Sequence, residues 1–174
     1  MSLDNTSNLF SALFALHSEE SLIPRENFLS EGFAYVLRTD QVACAAWLSH
    51  VLKRQINPSV FKVSTRATET DPLDTHKVFP DMQVEGSLPD GSQLVVFFEH
   101  KWNSPCDPNQ LKKYLRIADQ KARSYQKETA VVFVGSSHEQ TRDAQSIDRL
   151  KKRAFTWEDA CEVLEKLPNP TDMR

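Results

Sequence analysis

The chain has 174 residues, of which 40% are hydrophobic and 26% charged, and its formal net charge is −3. This length and composition predict one globular domain over residues 1–174, and the slight negative charge excludes a uniformly basic coat for nucleic acid. No apolar run is long enough to cross a membrane. Three cysteines without CxxC spacing indicate neither a disulfide framework nor a zinc site, so a cytoplasmic protein is predicted.

Helical patterns fill the first third of the chain. After a start that is predicted to be flexible (residues 1–6), apolar residues between Leu9 and Leu16 recur at helical spacing and predict a short helix. Pro24 suits a first helical turn and opens a second predicted helix, and Asp40 resembles the N-cap of a third. The chain therefore begins with several helices before its first strand.

Strand patterns fill the middle of the chain. Residues 60–68 alternate apolar and polar side chains, as a half-buried strand does. A loop over residues 69–77 follows. Two apolar runs then flank the turn Leu88-Pro89-Asp90-Gly91, which predicts a β-hairpin.

Helices and strands alternate in the last third. Asp107 as N-cap and Pro108 in the first turn predict a long helix to about Gln126. The other predicted elements are a buried strand at 130–135, a helix at 141–152, a short strand at 154–155 and a helix at 157–167. Thr156 caps that last helix, but Asp159 stands where a full capping box would carry the longer Glu or Gln. Residues 168–174 are predicted to be flexible.

Charged residues lie at adjacent ends of the two hairpin strands. Asp81 stands near the start of the first strand, and Glu99 and Lys101 end the second on one face, with the His100 side chain on the other. Asp81 should therefore face Glu99 and Lys101. Converging carboxylates bind a hard divalent cation such as Mg²⁺ through oxygen. A structural salt bridge between Glu99 and Lys101 at the sheet edge is the competing interpretation, and these residues alone leave both open.

The helix after the hairpin carries two polar residues that can reach this cluster. Gln110 and Tyr114 are four residues apart, so they share one helical face and can both point back at the sheet edge. By themselves they would be ordinary boundary residues. Together with the hairpin they suggest a composite site.

Three motifs in a fixed order resemble those of the PD-(D/E)XK nuclease superfamily. They are Pro80-Asp81, Glu99-His100-Lys101 and Gln110-Leu111-Lys112-Lys113-Tyr114. The order of predicted elements is also similar to the αβββαβ core of that superfamily. The resemblance implies an α/β, restriction-endonuclease-like fold with a mixed central sheet flanked by helices and with extra N-terminal helices.

The resemblance implies a role for each motif residue. Asp81 would be the principal metal ligand, and Glu99 would be the second, with the backbone carbonyl of His100 beside it. Lys101 would orient the attacking water or stabilise the developing charge. Gln110 and Tyr114 would brace the site and contact the backbone of the substrate. The metal would be Mg²⁺ or Mn²⁺.

An acid on the opening helix would complete the site, because residues 25–31 resemble the first helix of bacterial members. Glu26 and Glu31 are the two candidates. Glu26 continues the apolar stripe of its helix and so faces the core, whereas Glu31 falls on the opposite side. The helical period thus favours Glu26, although an acid in a first turn also stabilises the helix dipole without any further role.

Basic residues cluster after the hairpin. Residues 101–128 carry seven Lys or Arg against three Asp or Glu, and residues 149–153 form a second basic run. Either run could contact phosphates, and Lys113, between Gln110 and Tyr114, is the candidate nearest the site. The alternative is that both runs are solvated helix faces.

These observations lead to one functional expectation and two rivals. The expectation is Mg²⁺-dependent hydrolysis of nucleic-acid phosphodiesters, above all of DNA, by a metal-activated water, in repair, restriction or defence. One rival is a catalytically inactive relative that binds nucleic acid or protein, and the other is an interaction domain whose charges pair structurally. The sequence leaves open DNA against RNA, the mode of cleavage, a homodimer, and a further domain or partner subunit.

Overall fold

Helices and strands alternate along residues 25–168, the part of the chain that the computed structural model describes. In chain order they are α1 (Arg25–Thr39), α2 (Gln41–Leu52), β1 (Lys62–Thr65), β2 (Glu69–Thr70), β3 (Lys77–Val78), β4 (Met82–Ser87), β5 (Gln93–His100), α3 (Pro108–Tyr125), β6 (Glu128–Gly135), α4 (His138–Gln145), a 3₁₀ turn (Asp148–Leu150), β7 (Ala154–Thr156) and α5 (Trp157–Glu165). The predicted helix at residues 9–16 and nearly all of the ends predicted to be flexible lie outside this range. Among residues 25–168, none of the helices combines the length and the apolar character that crossing a bilayer requires.

Five strands form one mixed sheet in the order β1-β4-β5-β6-β7. The pairs β1–β4 and β4–β5 are antiparallel, and the pairs β5–β6 and β6–β7 are parallel. The predicted hairpin is therefore β4–β5, and Gly91 in its turn has φ 83°, a left-handed conformation that glycine adopts without strain. The predicted α/β class with a mixed central sheet is confirmed.

Alternation along β5 divides the core into two layers. Leu94, Val96 and Phe98 pack in one apolar cluster with residues of α1, α2 and α5, whereas Val95 and Phe97 pack with α3 on the other face. The same alternation continues past the apolar run. It directs Glu99 toward α3 and the His100 ring toward α1 and α5.

A predicted helix cap is confirmed at α2, and one expectation about a cap is wrong. The Asp40 carboxylate accepts the N–H groups of Val42 and Ala43 at 2.9 and 3.0 Å, so it is the N-cap of α2. At α5 the expectation of an incomplete capping box is wrong. Asp159 Oδ2 accepts the Thr156 N–H at 2.7 Å, and Thr156 Oγ1 accepts the Asp159 N–H at 3.1 Å, so the shorter carboxylate still reaches.

Several predicted boundaries are wrong. The strand predicted at 60–68 is confined to β1, because Arg66 adopts φ 50° and ends the extended chain. The helix predicted at 141–152 begins earlier, at His138, because the Ser137 hydroxyl caps it, and it ends at Gln145 before the 3₁₀ turn. The last helix ends at Glu165, two residues before its predicted end.

The loop predicted at 69–77 contains a small antiparallel hairpin, β2–β3, here called the arm (residues 69–78). Ion pairs attach it to α3. Glu69 contacts Lys121 at 3.0 Å, and Asp71, whose side chain has no exposed surface, accepts two hydrogen bonds from the Arg116 guanidinium. A two-residue hairpin cannot form a core of its own, so these long-range pairs hold it in position.

Candidate active site

The register of the β4–β5 hairpin brings Asp81 beside Glu99. Met82 pairs with Phe98, so Asp81, one residue before β4, lies opposite the last residues of β5. Asp81 Oδ2 accepts the backbone N–H of His100 at 2.7 Å. Burial raises the pKa of Asp81, and burial together with the Asp81 charge raises the pKa of Glu99 to about 8. The two carboxylates therefore share one poorly solvated volume.

Lys101 is the ammonium of this cluster. Its Nζ contacts Glu99 Oε1 and lies 3.4 Å from Glu26 Oε1, and its side chain is only 11% exposed. Burial alone would lower the pKa of Lys101, but the charges of Glu99, Glu26 and Asp81 raise it overall, so the side chain stays charged. The Glu99–Lys101 salt bridge of the competing interpretation is therefore present, but it is buried, and Lys101 also faces a second acid, Glu26.

Gln110 and Tyr114 hold the second oxygen of Glu99. Glu99 Oε2 lies 3.0 Å from Gln110 Nε2 and 3.0 Å from the Tyr114 hydroxyl, and Gln110 Nε2 also donates to that hydroxyl at 2.7 Å. Burial and the Glu99 charge raise the pKa of Tyr114, so its hydroxyl remains a donor. These two bonds fix the orientation of the carboxylate, which is the bracing expected of this pair.

Glu26 closes the cluster from the first turn of α1. Its Oε2 accepts the Trp102 backbone N–H at 3.1 Å and the Ser104 hydroxyl at 2.5 Å, while Oε1 faces Lys101. Glu31 is 47% exposed and lies 4.0 Å from Arg66 on the far side of α1. The helix therefore has the phase that its apolar period predicts.

The His100 ring lies on the opposite face of β5, as strand alternation predicts. Its Nδ1 is 2.8 Å from the Ser30 hydroxyl, and the ring packs edge-on against Trp157 with centroids 4.8 Å apart. Complete burial and the nearby Lys101 charge lower the pKa of His100 to about 3, so the ring is neutral. The ring belongs to the core between the sheet and α1.

The backbone of His100, unlike its ring, faces the cluster. The Lys101 N–H donates to Val134 O on β6 at 2.8 Å. In a trans peptide the carbonyl points away from the N–H, and the described chain has no cis bond, so the His100 carbonyl points toward β4 and Asp81. The carbonyl expected as a ligand is thus directed to the side of β5 on which Asp81 lies.

This donor set suits a magnesium ion whose remaining ligands are water and substrate. Within the described part of the chain, no three His, Cys, Asp or Glu side chains are grouped so as to hold a metal by themselves. Two carboxylates and one carbonyl are a sparse set, which is how Mg²⁺ is commonly held with substrate phosphates. Among residues 25–168, no group donates an aligned hydrogen bond to the buried Glu99 Oε1, whose contact with Lys101 is an ion pair. That oxygen retains acceptor capacity for a cation.

Intramolecular ion pairs neutralise much of the two basic runs. Arg116 and Lys121 pair with the arm, Arg149 with Asp119 at 2.8 Å and Lys151 with Asp148 at 2.7 Å. Lys113, by contrast, is one-third exposed and lies 3.9 Å from Asp74. The basic runs therefore offer less free positive charge than the sequence suggests. Lys113, beside Gln110 and Tyr114, is held less tightly by its acidic partner than these other cations are.

Sequence patterns missed several groups that complete the site. Ser104 and the Trp102 N–H bind Glu26, Ser30 binds the His100 ring, and the Phe79 carbonyl lies 3.2 Å from the Tyr114 hydroxyl. Ser30 could have been identified from the sequence, because it lies four residues after Glu26 and so occupies the same face of α1. Nothing in the sequence connects Ser104 or Phe79 to its partner.

The contacts of α1 give a matched pair of variants. Glu26→Gln removes the charge that faces Lys101 and the Trp102 N–H, and if the cluster supports metal-dependent cleavage of nucleic acid, we expect that cleavage to fall about tenfold or more. Glu31→Gln, an equivalent change on the exposed side of the same helix, should leave activity within about twofold of the parent. Steady-state cleavage rates and melting curves of both variants test this. The reverse ranking would contradict a role for Glu26.

No family model matches this chain, and no similar protein was found among curated proteins or solved structures.

Proposed function

We propose that this chain is a Mg²⁺-dependent nuclease of the PD-(D/E)XK type, with a restriction-endonuclease-like core, that hydrolyses phosphodiester bonds of DNA. The observation that carries the proposal is the buried contact of Asp81, Glu99 and Lys101 where the central strands end. The order α1/α2, β1, β4, β5, α3, β6 supports the αβββαβ assignment. Repair, restriction or defence would suit this activity.

The charge balance of the cluster argues for a cation rather than a structural ion pair. The carboxylates of Asp81, Glu99 and Glu26 surround a single ammonium, that of Lys101. A buried salt bridge already offsets its desolvation cost poorly with one acid, and extra buried carboxylates increase that cost. Without metal, the proton that Glu99 keeps near neutral pH offsets part of this charge, and a divalent cation would take its place and let both Asp81 and Glu99 ionise.

The residues of the cluster would divide the work as follows. Asp81, Glu99 and the His100 carbonyl would hold Mg²⁺. When bound, the ion supplies positive charge for a phosphoryl oxygen and lowers the pKa of a coordinated water. Gln110 and Tyr114 keep the Glu99 carboxylate in one orientation, since both donate to Oε2. Glu26 orders residues 102–104 and the Lys101 ammonium.

Lys101 would act on the substrate itself. Its ammonium is anchored at the edge of the cluster by Glu99 and Glu26, so little reorganisation is needed to stabilise charge on the scissile phosphate or to orient the water. The main-chain N–H and carbonyl of Lys101 are also bound, to Val134 O and to the Trp157 indole. The side chain therefore extends from a rigid backbone.

The test is cleavage of single-stranded, double-stranded and branched DNA, with an RNA of the same sequence. We expect at least one DNA substrate to be cut in Mg²⁺ or Mn²⁺, no cutting in EDTA, and recovery when Mg²⁺ is returned. The variant Glu99→Gln, which keeps the shape of the side chain, should be inactive. Binding without cleavage by the wild type would instead support an inactive binding module, and neither binding nor cleavage would support an interaction domain.

A further inference from the structure

A cavity of about 370 Å³ opens beside the cluster, between the end of the arm and the first two turns of α3. Its size lies within the range of small-ligand sites, roughly 300–1,000 Å³. Gln110 and Tyr114 form part of its wall, and both contact Glu99. A ligand in this cavity would therefore be separated from the cluster by a single layer of side chains.

The walls of the cavity combine three kinds of recognition group. Phe79 presents a half-exposed aromatic ring, Asn109 presents an amide, Gln110 presents its amide oxygen because its nitrogen is already bound, and Lys113 presents an ammonium. A nucleotide has a complementary group for each, because its base stacks on a ring, its base edge accepts and donates hydrogen bonds, and its phosphate binds a cation. One small volume thus matches the parts of a single nucleotide.

The exposure of Phe79 follows from the backbone that holds it. The next residue, Pro80, is buried, and Asp81 belongs to the cluster. The Phe79 carbonyl lies 3.2 Å from the Tyr114 hydroxyl. On the N-terminal side, Val78 pairs with Glu69 in the arm. The segment is thus anchored on both sides of Phe79, and a half-exposed phenylalanine in an anchored segment is a stacking surface that needs little ordering on binding.

The positive charge in the cavity comes from the Lys113 side chain and not from the N-terminus of α3. Asp107 caps that helix by accepting the Asn109 N–H at 2.8 Å, so its carboxylate already occupies the helix N-terminus. Lys113 lies one turn further along. Its acidic neighbour, Asp74, is 3.9 Å away and 35% exposed, so a phosphate can compete for the ammonium at small cost.

Resting on the proposed function, we infer that this cavity takes one unpaired nucleotide of the DNA substrate, with its base on Phe79 and a phosphate at Lys113. In an intact duplex both faces of a base are stacked, and extruding it costs several kcal/mol. The favoured substrates are therefore single-stranded DNA and duplexes with a gap, flap or bubble next to the cleaved bond.

Binding to an inactive background tests the inference. In Lys101→Met protein with Mg²⁺, the added change Phe79→Ala should weaken binding of a fluorescein-labelled single-stranded oligonucleotide about tenfold, while Phe79→Trp restores it. Affinity for a blunt duplex should change less than twofold. Lys113→Gln should weaken binding and reduce the dependence of log affinity on log salt by about one unit.

The matched control is Tyr125→Ala, which removes a 67% exposed aromatic ring from the other end of α3 and should not alter binding. Equal affinities of the Phe79→Ala and Tyr125→Ala proteins for the single strand would overturn the cavity assignment. If wild type still cuts DNA in that case, the nuclease proposal stands. If wild type neither binds nor cuts any nucleic acid on the panel, both proposals fail together.

Discussion

Replacing Lys101 with methionine should lower DNA cleavage by about two orders of magnitude or more, the scale seen when one preorganised charge-stabilising donor is removed. Methionine keeps most of the side-chain length but has no charge. Because the ammonium is expected to act in the transition state, turnover should fall more than substrate affinity does. Single-turnover rates measured at saturating enzyme separate these two effects.

The same variant has a second expected signature, which follows from burial. Lys101→Met leaves Glu99 and Glu26 without their common cation, so the metal-free protein should lose roughly 3 kcal/mol of unfolding free energy. Mg²⁺ should recover much of this loss and should bind at least as tightly as in wild type, since a competing positive charge has been removed. Denaturant titrations with EDTA and with Mg²⁺ measure both quantities.

Lys62→Met is the matched control for Lys101→Met, because Lys62 is an exposed residue of the edge strand β1. It should leave cleavage, stability and metal affinity close to those of wild type. If Lys101→Met cuts DNA as well as the Lys62 variant does, the proposed mechanism is wrong, whatever the fold.

Replacing Asp81 with asparagine should reduce affinity for Mg²⁺ or Mn²⁺ at least tenfold, since even changes to outer-shell partners of metal ligands cost about 10–100-fold. Asparagine keeps an oxygen that can accept the His100 N–H, so the hairpin end should keep its geometry. In wild type, metal at a hundred times its Kd should stabilise the fold by about 2.7 kcal/mol, and this gain should be largely absent from the variant. Calorimetric titration and melting curves measure the two effects.

Without metal, the sign of the stability change should reverse. Burial and the Asp81 charge raise the pKa of Glu99 to about 8, so in the metal-free protein Glu99 keeps its proton near neutral pH instead of ionising beside Asp81, and this proximity costs free energy. Asp81→Asn should therefore be as stable as wild type in EDTA, or more stable, and less stable than wild type in Mg²⁺. The control Glu31→Gln should bind metal like wild type. Equal metal affinity in wild type and Asp81→Asn would eliminate the site.

Local patterns were sufficient to predict the contact at the hairpin end. Strand alternation put Glu99 and Lys101 on one face and the His100 ring on the other, and the turn at Gly91 brought Asp81 alongside. The helical period alone chose Glu26 over Glu31 as the residue that faces inward. Such patterns work because a side chain's direction depends on its own strand or helix, with a fixed period.

Only the tertiary structure decided which distant groups meet. Asp71 binds Arg116 and so neutralises one charge of the basic run, although 45 residues separate the two. Ser104 donates a hydrogen bond to Glu26, which is 78 residues away along the chain. The cavity at Phe79 exists because the arm and α3 pack side by side. The sequence by itself determined most of the longer strands and helices and the faces of the site residues, since these depend on neighbours along the chain, but it missed the β2–β3 hairpin. The pairing of charges and the shape of the cavity depend on how the layers dock, which no local period encodes.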